Sequence, residues 1–245
     1  MKKMSLSQKA GLCAAICFAV LFLLQILALL TIDGAPNVGG TRIGLSTLNQ
    51  SVFALLGQHG LFDKLTDVTA AFAILTAAAF AVLGVIQLIK RKSLKKVDKK
   101  LYVLAGLYVL MAIVYLFFEL VRVNYRPALE DGVAKASFPS SHTLLVTVIM
   151  GSAILLLEDY ISNYKLRTAL QIVCAVIVCF TACGRLVSGV HWYTDIVAAL
   201  LVSGALLSLF SFFADLFSPK DETDDTEEDE EQDKESEKDE KTKIF

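Results

Sequence analysis

The sequence predicts an all-α, polytopic membrane protein in which six transmembrane helices form a bundle. Hydrophobic residues make up 55% of the 245 residues, and the mean hydropathy of +0.59 is too high for an ordinary soluble domain. Six apolar runs alternate with polar loops, as in a chain that crosses the membrane repeatedly. The net charge of −2 hides a split, because residues 218–245 carry 14 acidic and 5 basic residues while the rest carries 18 basic and 11 acidic.

The six spans are predicted at 11–31, 68–89, 101–121, 143–157, 169–183 and 196–217. A cleaved secretory signal is the rival interpretation of the first span. That run has 21 residues and no convincing small-residue cleavage site, whereas a signal core has about 7–15 residues. The fourth and fifth spans are shorter than the roughly 20 residues that a bilayer needs. We therefore expect their helices to continue into a polar site at the membrane surface.

The long loop 32–67 is predicted to lie outside, with a weakly amphipathic segment at 43–56 that suits an interfacial helix. His59 is interpreted as an ordinary residue of this loop. The acidic tail, 218–245, has almost no core-forming residues and is predicted to be disordered and cytoplasmic. The remaining residues, 1–217, are predicted to form one six-helix membrane domain.

Basic residues set the predicted orientation. The loop at 90–100 holds seven basic residues and one acidic residue. A nucleic-acid-binding patch is conceivable, but a short basic loop between two spans is what the positive-inside rule predicts. Before the tail, the side containing this loop carries twelve basic residues and the other side carries six. Both termini are therefore predicted to be cytoplasmic, and the loops that carry polar motifs are predicted to face outward.

The five cysteines are interpreted as small apolar residues of the spans. They lie inside or at the ends of apolar runs and form no CxxC pair or Cys/His cluster. Neither a metal site nor a cofactor is expected.

Three polar clusters fall on the predicted outer side. They are Arg126-Pro127 after the third span, the residues 139–142 before the fourth, and the residues 184–195 between the fifth and sixth. Polar side chains at membrane depth are costly and are functional candidates by default. Each cluster alone has an ordinary explanation, either as a helix start with a serine N-cap or as an interfacial anchor.

Together the clusters supply the groups needed for phosphoryl transfer. Arg126 and Arg185 can bind a phosphate through paired hydrogen bonds, and the start of the fourth helix adds free backbone N–H groups. His191, oriented by Asp195 four residues later, can attack phosphorus. His142 can protonate the leaving oxygen and then activate water. This scheme requires no metal.

The order Arg-Pro, then Pro-Ser-Ser-His, then Arg, five residues, His, three residues and Asp resembles the signature of the type 2 phosphatidic acid phosphatase family, which is related to vanadium haloperoxidases. The resemblance implies six helices and an active site at the outer membrane surface. It also implies a role for each matching residue. The nucleophile is His191 with Asp195 as its partner, the acid and base is His142, the phosphate clamp is Arg126 and Arg185, and supporting donors are Ser140 and Ser141.

Two positions depart from the family pattern. Glu119 stands where the family usually has lysine, and Gly184 stands where it usually has serine. The glycine is expected to offer its backbone N–H in place of the hydroxyl. Glu119 reverses a charge, and its spacing to Arg122 allows a helical ion pair. Arg122 is also a candidate to replace part of the missing lysine.

The predicted function is a membrane lipid phosphatase that acts on a phosphomonoester or diphosphate through a phosphohistidine. Undecaprenyl diphosphate, phosphatidic acid and phosphatidylglycerol phosphate all remain open as substrates. The alternative is a weakened or inactive relative that binds phospholipid. A transporter is disfavoured because no inverted repeat or broken helix pair is visible, and a haloperoxidase because most of the chain is membrane-embedded. No nucleic-acid partner is expected, and nothing in the sequence names a protein partner.

Overall fold

The computed structural model describes residues 4–217. By its contacts the chain divides into Met1–Asp215 and Leu216–Phe245. The first unit is the helical domain discussed below. The acidic tail predicted to be disordered, 218–245, lies outside the described residues.

The described part is almost entirely helical, which confirms the predicted fold class. Its helices are α1 (Leu6–Thr31), α2 (Ser46–Leu56), α3 (Gly60–Arg91), α4 (Lys99–Leu120), α5 (Ser141–Tyr160), α6 (Tyr164–Ser188) and α7 (Tyr193–Asp215). Two-residue strands β1 (Ala35–Pro36) and β2 (Arg42–Ile43) pair antiparallel, and 3₁₀ turns lie at Val38–Gly40 and Leu94–Lys96. Among these helices, all except α2 are long and apolar enough to cross a membrane. The chain is a multi-pass membrane protein.

Several helix starts follow from local capping. Ser5 begins α1 with a capping box, in which its side chain accepts from the Gln8 backbone while the Gln8 side chain accepts from Ser5. The Asp98 side chain caps α4, and the Asn163 side chain caps α6. These side chains satisfy N–H groups that the first helical turn leaves without partners.

The membrane-spanning helices begin before the apolar runs that predicted them, and α3, α5 and α6 differ most from the prediction in relative length. α3 begins at Gly60, eight residues before the predicted span at 68. α5 and α6 have 20 and 25 residues, more than the short runs 143–157 and 169–183. Their extra turns carry polar residues at the ends of the apolar runs. The expectation that these helices continue into a polar region therefore agrees with the structure.

α5 lies at the centre of the bundle. Among the six candidate spans within residues 4–217, α5 has the largest buried share of its apolar stretch. It packs on α3, α4, α6 and α7, while α1 lies along α7. Large apolar side chains on the outer helix faces are exposed, for example Leu23, Val109 and Val176. Such faces suit contact with lipid acyl chains.

An aromatic cluster holds the loop between α4 and α5. The rings of Phe22, Phe118 and Phe138 lie with centroids 5.6 to 5.8 Å apart. Phe22 belongs to α1 and Phe118 to α4, so the cluster ties both helices to the residue that precedes the second motif. Aromatic pairs of this kind add about 0.5–1.5 kcal/mol beyond the area they bury.

α2 is tied to both neighbouring segments. Hydrogen bonds from the side chain and backbone of Thr47 and from the Ser46 hydroxyl, at the start of α2, lower the pKa of the Asp33 carboxylate that accepts them. Asn49 is fully buried and exchanges hydrogen bonds of 3.0 and 3.1 Å with the side chain and backbone of Thr194. The helix predicted in this loop is therefore present, and it is fastened to the start of α7.

Candidate active site

The three predicted polar clusters meet at one end of the bundle. The ends of α4 and α6 and the starts of α3, α5 and α7 converge there. Contacts between these helix ends join residues far apart in sequence, such as Arg185 on α6 and Asp63 on α3. The loop from 121 to 140 closes over this end through backbone pairing of Tyr125 with Ala136 and of Glu130 with Val133.

His191 lies in the turn between α6 and α7 and is 3% exposed. Its Nδ1 lies 3.0 Å from the backbone oxygen of Ser137. A carbonyl oxygen only accepts hydrogen bonds, so Nδ1 carries the proton and Nε2 holds the lone pair. Nε2 is buried and has no hydrogen-bond partner among the described residues. Burial lowers the pKa of His191 below its ordinary value of 6.5, which favours this neutral form.

Asp195 lies close to His191 but does not orient its imidazole through a direct hydrogen bond, as the prediction required. The carboxylate Oδ2 is 3.7 Å from His191 Nδ1 and instead accepts the Trp192 backbone N–H at 2.9 Å. Asn124 donates to the other oxygen at 3.4 Å. The prediction assumed a continuous helix through both residues, whereas α7 begins at Tyr193. The Ser137 carbonyl therefore fixes the tautomer, and Asp195 supplies a nearby negative charge and anchors the turn.

The turn that carries His191 depends on Gly189. This residue ends α6 in the left-handed conformation, with φ of +72°. A Cβ at this position would lie 2.5 Å from Gln58 Cγ and 3.1 Å from the Gly57 carbonyl oxygen. Glycine is therefore required both by the backbone angle and by the close approach of the α2–α3 connection.

Arg185 lies in the last turn of α6 and is 2% exposed. Its Nη1 donates to the carboxylate of Asp63 and lies 3.4 Å from Thr66 Oγ1 and 4.0 Å from Asp67 Oδ1. Its Nε is buried and has no partner within residues 4–217. The guanidinium therefore retains a free donor after it has paired with α3.

His142 lies in the first turn of α5, where the second motif predicted a helix start. Its Nε2 is 3.0 Å from Asp67 Oδ1. Asp67 thus lies between the second-motif histidine and the third-motif arginine. Neither Asp63 nor Asp67 was expected in the site, because both fell in a segment interpreted as a loop or its edge.

Arg126 follows the end of α4 and pairs with Glu130 through an Nη1 to Oε2 distance of 2.7 Å. A hydrogen bond from Lys135 and the charge of Arg126 lower the pKa of Glu130. The Arg126 Nε is buried and has no partner in the described part of the chain. Like Arg185, this arginine keeps a free donor.

A small polar cavity connects Arg126, His191, Ser141 and Glu119. Glu119 therefore faces the same cavity as the proposed nucleophile. Arg122 forms no ion pair with it among the residues described. α4 ends at Leu120, so the helical spacing that would bring the two side chains together is absent. The expected Glu119–Arg122 pair is not formed.

Gly184 has a different role from the one predicted. It lies inside α6, where its N–H belongs to the helix's own hydrogen bonds. A Cβ there would lie 2.7 Å from Thr66 Cγ2. Gly184 therefore allows α6 to approach α3 and does not offer a free N–H to a ligand.

The two serines of the second motif lie in different surroundings. Ser140 is fully buried, its N–H donates to the Asp195 carbonyl at 3.1 Å, and its hydroxyl lies 3.0 Å from Thr143 Oγ1. Ser141 lines the polar cavity. Ser141 is thus the one placed to contact a ligand, while Ser140 joins α5 to α7.

A larger apolar cavity of about 390 Å³ lies beside the polar one. It is bounded by α3, α4 and α5, and its lining includes Ala70, Ile74, Met111 and His142. Tyr115 and Ser141 line both cavities. An amphiphilic ligand can therefore place a polar end near His191 and an apolar end between the helices.

Within residues 4–217, no group of three or more His, Cys, Asp or Glu side chains is arranged to hold a metal ion. The free cysteines of this part of the chain lie in α1 and α6, away from the histidines.

The fold and the site define an integral membrane protein with two histidines, two arginines and an aspartate gathered at one end of a helix bundle. A model of the PAP2 superfamily matches residues 118–216. All three motifs lie in this segment, which is similar to that superfamily.

The structure also resembles a solved one, the transmembrane PAP2 type phosphatidylglycerolphosphate phosphatase from Bacillus subtilis. The two share 16% sequence identity with a TM-score of 0.59, and the match covers 85% of this chain and 99% of the other. At this identity the likeness shows a common fold. A comparison with curated proteins found no match.

Asp63 and Asp67 were not predicted as site residues from the sequence. One signal was available, because the two acids are four residues apart directly before a predicted span, and that end of the span lies on the side of the three motifs. Residues with this spacing share one face of a helix. The role of the Ser137 carbonyl has no such signal, since any residue supplies a carbonyl.

Proposed function

We propose that the protein is a membrane lipid phosphatase that hydrolyses a phosphomonoester or diphosphate of an amphiphilic lipid through a phosphohistidine at His191. The observation that carries this proposal is the state of the His191 ring. Nδ1 lies within hydrogen-bond distance of a carbonyl oxygen, while Nε2 is buried and has no partner among the described residues. His191 and Arg126 line the same cavity. A neutral imidazole with one free nitrogen beside a guanidinium suits attack on a bound phosphate.

The proposed reaction has two steps, phosphoryl transfer to His191 and hydrolysis of the phosphohistidine. His191 Nε2 attacks phosphorus, and the bond from phosphorus to the lipid oxygen breaks while His142 gives that oxygen a proton. Water then attacks the phosphohistidine, His142 takes a proton from it, and inorganic phosphate leaves with His191 restored. Arg126 and Arg185 stabilise the negative charge that develops on the phosphoryl oxygens.

The apolar cavity supports a lipid as the substrate. Its 390 Å³ adjoin the polar cavity at Tyr115 and Ser141, and pockets of this size enclose much of an apolar ligand. Phosphatidic acid, phosphatidylglycerol phosphate and undecaprenyl diphosphate each combine a phosphate with long apolar chains. The similar Bacillus subtilis protein is named for phosphatidylglycerolphosphate, which makes that lipid one necessary member of a substrate panel.

The proposed site faces outward, with both termini in the cytoplasm. The basic loop between α3 and α4 supports this orientation, because it lies at the opposite end of the bundle from the motif residues. An outward site gives access to lipid phosphates of the outer leaflet.

The test is phosphate release by detergent-purified protein from the three lipids, with and without EDTA. We expect release from at least one lipid, unchanged by EDTA, and loss of release in His191→Ala and His142→Ala. His59→Ala is a matched control. His59 is the one other histidine of the sequence, and its side chain is exposed. Absence of activity on every lipid contradicts the proposal, and loss of activity with EDTA contradicts its metal-free chemistry.

Glu119 favours a second candidate, a weakened relative that mainly binds phospholipid. Its carboxylate lines the polar cavity where the family usually places a lysine, and it repels a phosphate. If the protein is a phosphatase with a weakened clamp, Glu119→Lys should raise kcat/KM. Phosphate binding without turnover in both forms would favour the binding protein.

A further inference from the structure

α3 brings a second carboxylate–histidine pair into the site. Asp67 Oδ1 lies 3.0 Å from His142 Nε2, which is within hydrogen-bond distance. The pair joins the first turns of α5 to α3, a helix that lies outside the segment 118–216 matched by the superfamily model. The residue roles that the resemblance implies include no acidic residue on this helix.

Asp63 and Asp67 contact different side chains of the site. Asp63 binds Arg185 directly, while Asp67 Oδ1 is 4.0 Å from the same Nη1 atom and closer to His142. The two acids are four residues apart and so lie on one face of α3. One carboxylate therefore holds the clamp arginine, and the other holds the histidine.

The contact constrains how His142 handles a proton. When the imidazole is doubly protonated, Asp67 accepts from Nε2–H and the Nδ1–H remains available. Nδ1 has no hydrogen-bond partner among the described residues. A carboxylate at this distance stabilises the protonated ring against the nearby positive charge of Arg185 and fixes its orientation.

We propose that Asp67 is a positioning residue for His142, whose imidazole it orients so that the histidine can act as the general acid. This proposal rests on the proposed phosphatase function. In the first step the proton moves from His142 to the lipid oxygen as the bond to phosphorus breaks. In the second step His142 regains a proton from water, and the contact with Asp67 is kept throughout.

The test compares two substrates with the same alkyl chain whose leaving groups differ strongly in how much they need a proton. One is an alkyl phosphate with a twelve-carbon chain, and the other carries the same chain on a nitrophenyl phosphate. An alkoxide leaves poorly without protonation, whereas a nitrophenolate leaves readily. A defect in general-acid catalysis therefore slows the first substrate and spares the second.

We expect Asp67→Asn to lower kcat on the alkyl phosphate about 10- to 100-fold, a part of the roughly 10²–10⁴-fold that general-acid catalysis supplies. On the nitrophenyl substrate the loss should be less than about 3-fold, because little of the general-acid contribution applies there. Asp67→Glu keeps the carboxylate and should restore part of the kcat on the alkyl phosphate.

Two further variants separate positioning from other effects. Asp63→Asn removes the partner of Arg185 and should change KM for both substrates to the same degree. Asp131→Asn removes an exposed carboxylate from the loop between α4 and α5 and should leave both activities unchanged. Thermal melting of each variant checks that the protein is folded.

Equal losses on the two substrates, or higher activity in Asp67→Asn, would overturn this role for Asp67. Higher activity would indicate that the carboxylate occupies the phosphate position and inhibits the enzyme. A wild-type protein inactive on every substrate overturns the proposed function together with this assignment. An active wild type with equal losses in the variant overturns only the assignment to Asp67.

Discussion

Four side chains of the site leave buried nitrogen atoms without partners in the described part of the protein. They are Nε2 of His191, Nδ1 of His142, Nε of Arg185 and Nε of Arg126. A buried polar atom that lacks a partner costs about 1–3 kcal/mol. The four atoms come from three separate parts of the chain that the fold joins at one end of the bundle. Such a concentration of unpaired atoms is explained by a ligand that supplies the missing partners, and an anion such as phosphate matches the two arginines.

The pH dependence of activity should report His191. Burial lowers its pKa below 6.5, so the neutral, nucleophilic form persists at pH values where an exposed histidine is already protonated. The acid limb of kcat/KM, which reports the free enzyme, should therefore lie below pH 6.5. The same shift makes the folded state bind fewer protons than the unfolded state, so stability falls as pH drops below 6.5.

The measurement is a pH profile of kcat/KM on two substrates whose phosphate groups have different pKa values. A limb that stays at the same pH for both substrates belongs to the enzyme. An enzyme limb centred above pH 6.5 would show that His191 is not held in its neutral form as described.

At the scale of helices, the site depends on how each helix end is fastened. α7 starts next to His191, and its first turn is held by Asn49 of α2 through Thr194. The Trp192 indole donates to the Tyr125 carbonyl at 2.7 Å and joins the same turn to the loop after α4. The short helix α2 is therefore tied to the segment that carries His191.

Asn49→Ala should weaken both folding and catalysis. It leaves the Thr194 N–H and the Gly44 carbonyl without their buried partner, which should cost about 1–3 kcal/mol. Asn163→Ala is the matched control, because it removes an N-cap of α6 at the opposite end and should cost about 1 kcal/mol. Thermal melting and kcat on the best lipid measure the two effects. Equal kcat in both variants would contradict a role for α2 in placing His191.

At the scale of the whole molecule, more of the fold than of the site could be predicted from the sequence. Apolar runs and basic loops were enough to predict six spans, because each span is decided by its own local composition. The three motifs were predicted by resemblance, and the structure gathers them. Asp63 could not be paired with Arg185 in this way, because the two residues are 122 positions apart. Only the packing of α3 against α6, which Gly184 permits, brings them together.

The proposed orientation of the chain in the membrane predicts which loops can be labelled from outside the cell. Asp131 is exposed in the loop between α4 and α5, and Glu158 is exposed at the other end of α5. In a form without the native cysteines, Asp131→Cys should react with a membrane-impermeant maleimide in intact cells. Glu158→Cys should react only after permeabilisation. The reverse pattern would place the site on the cytoplasmic side.

The most direct test of the account is to trap the phosphoryl group on His191. Protein is mixed with ³²P-labelled lipid phosphate, quenched in alkali, where phosphohistidine survives, and digested for mass spectrometry. The account predicts label on the peptide that contains His191 and none in His191→Ala. It also predicts more label in His142→Ala with a substrate whose leaving group needs no proton, because the hydrolysis step then lacks its base. Phosphate release that continues in His191→Ala, or label on another residue during turnover, would contradict the account.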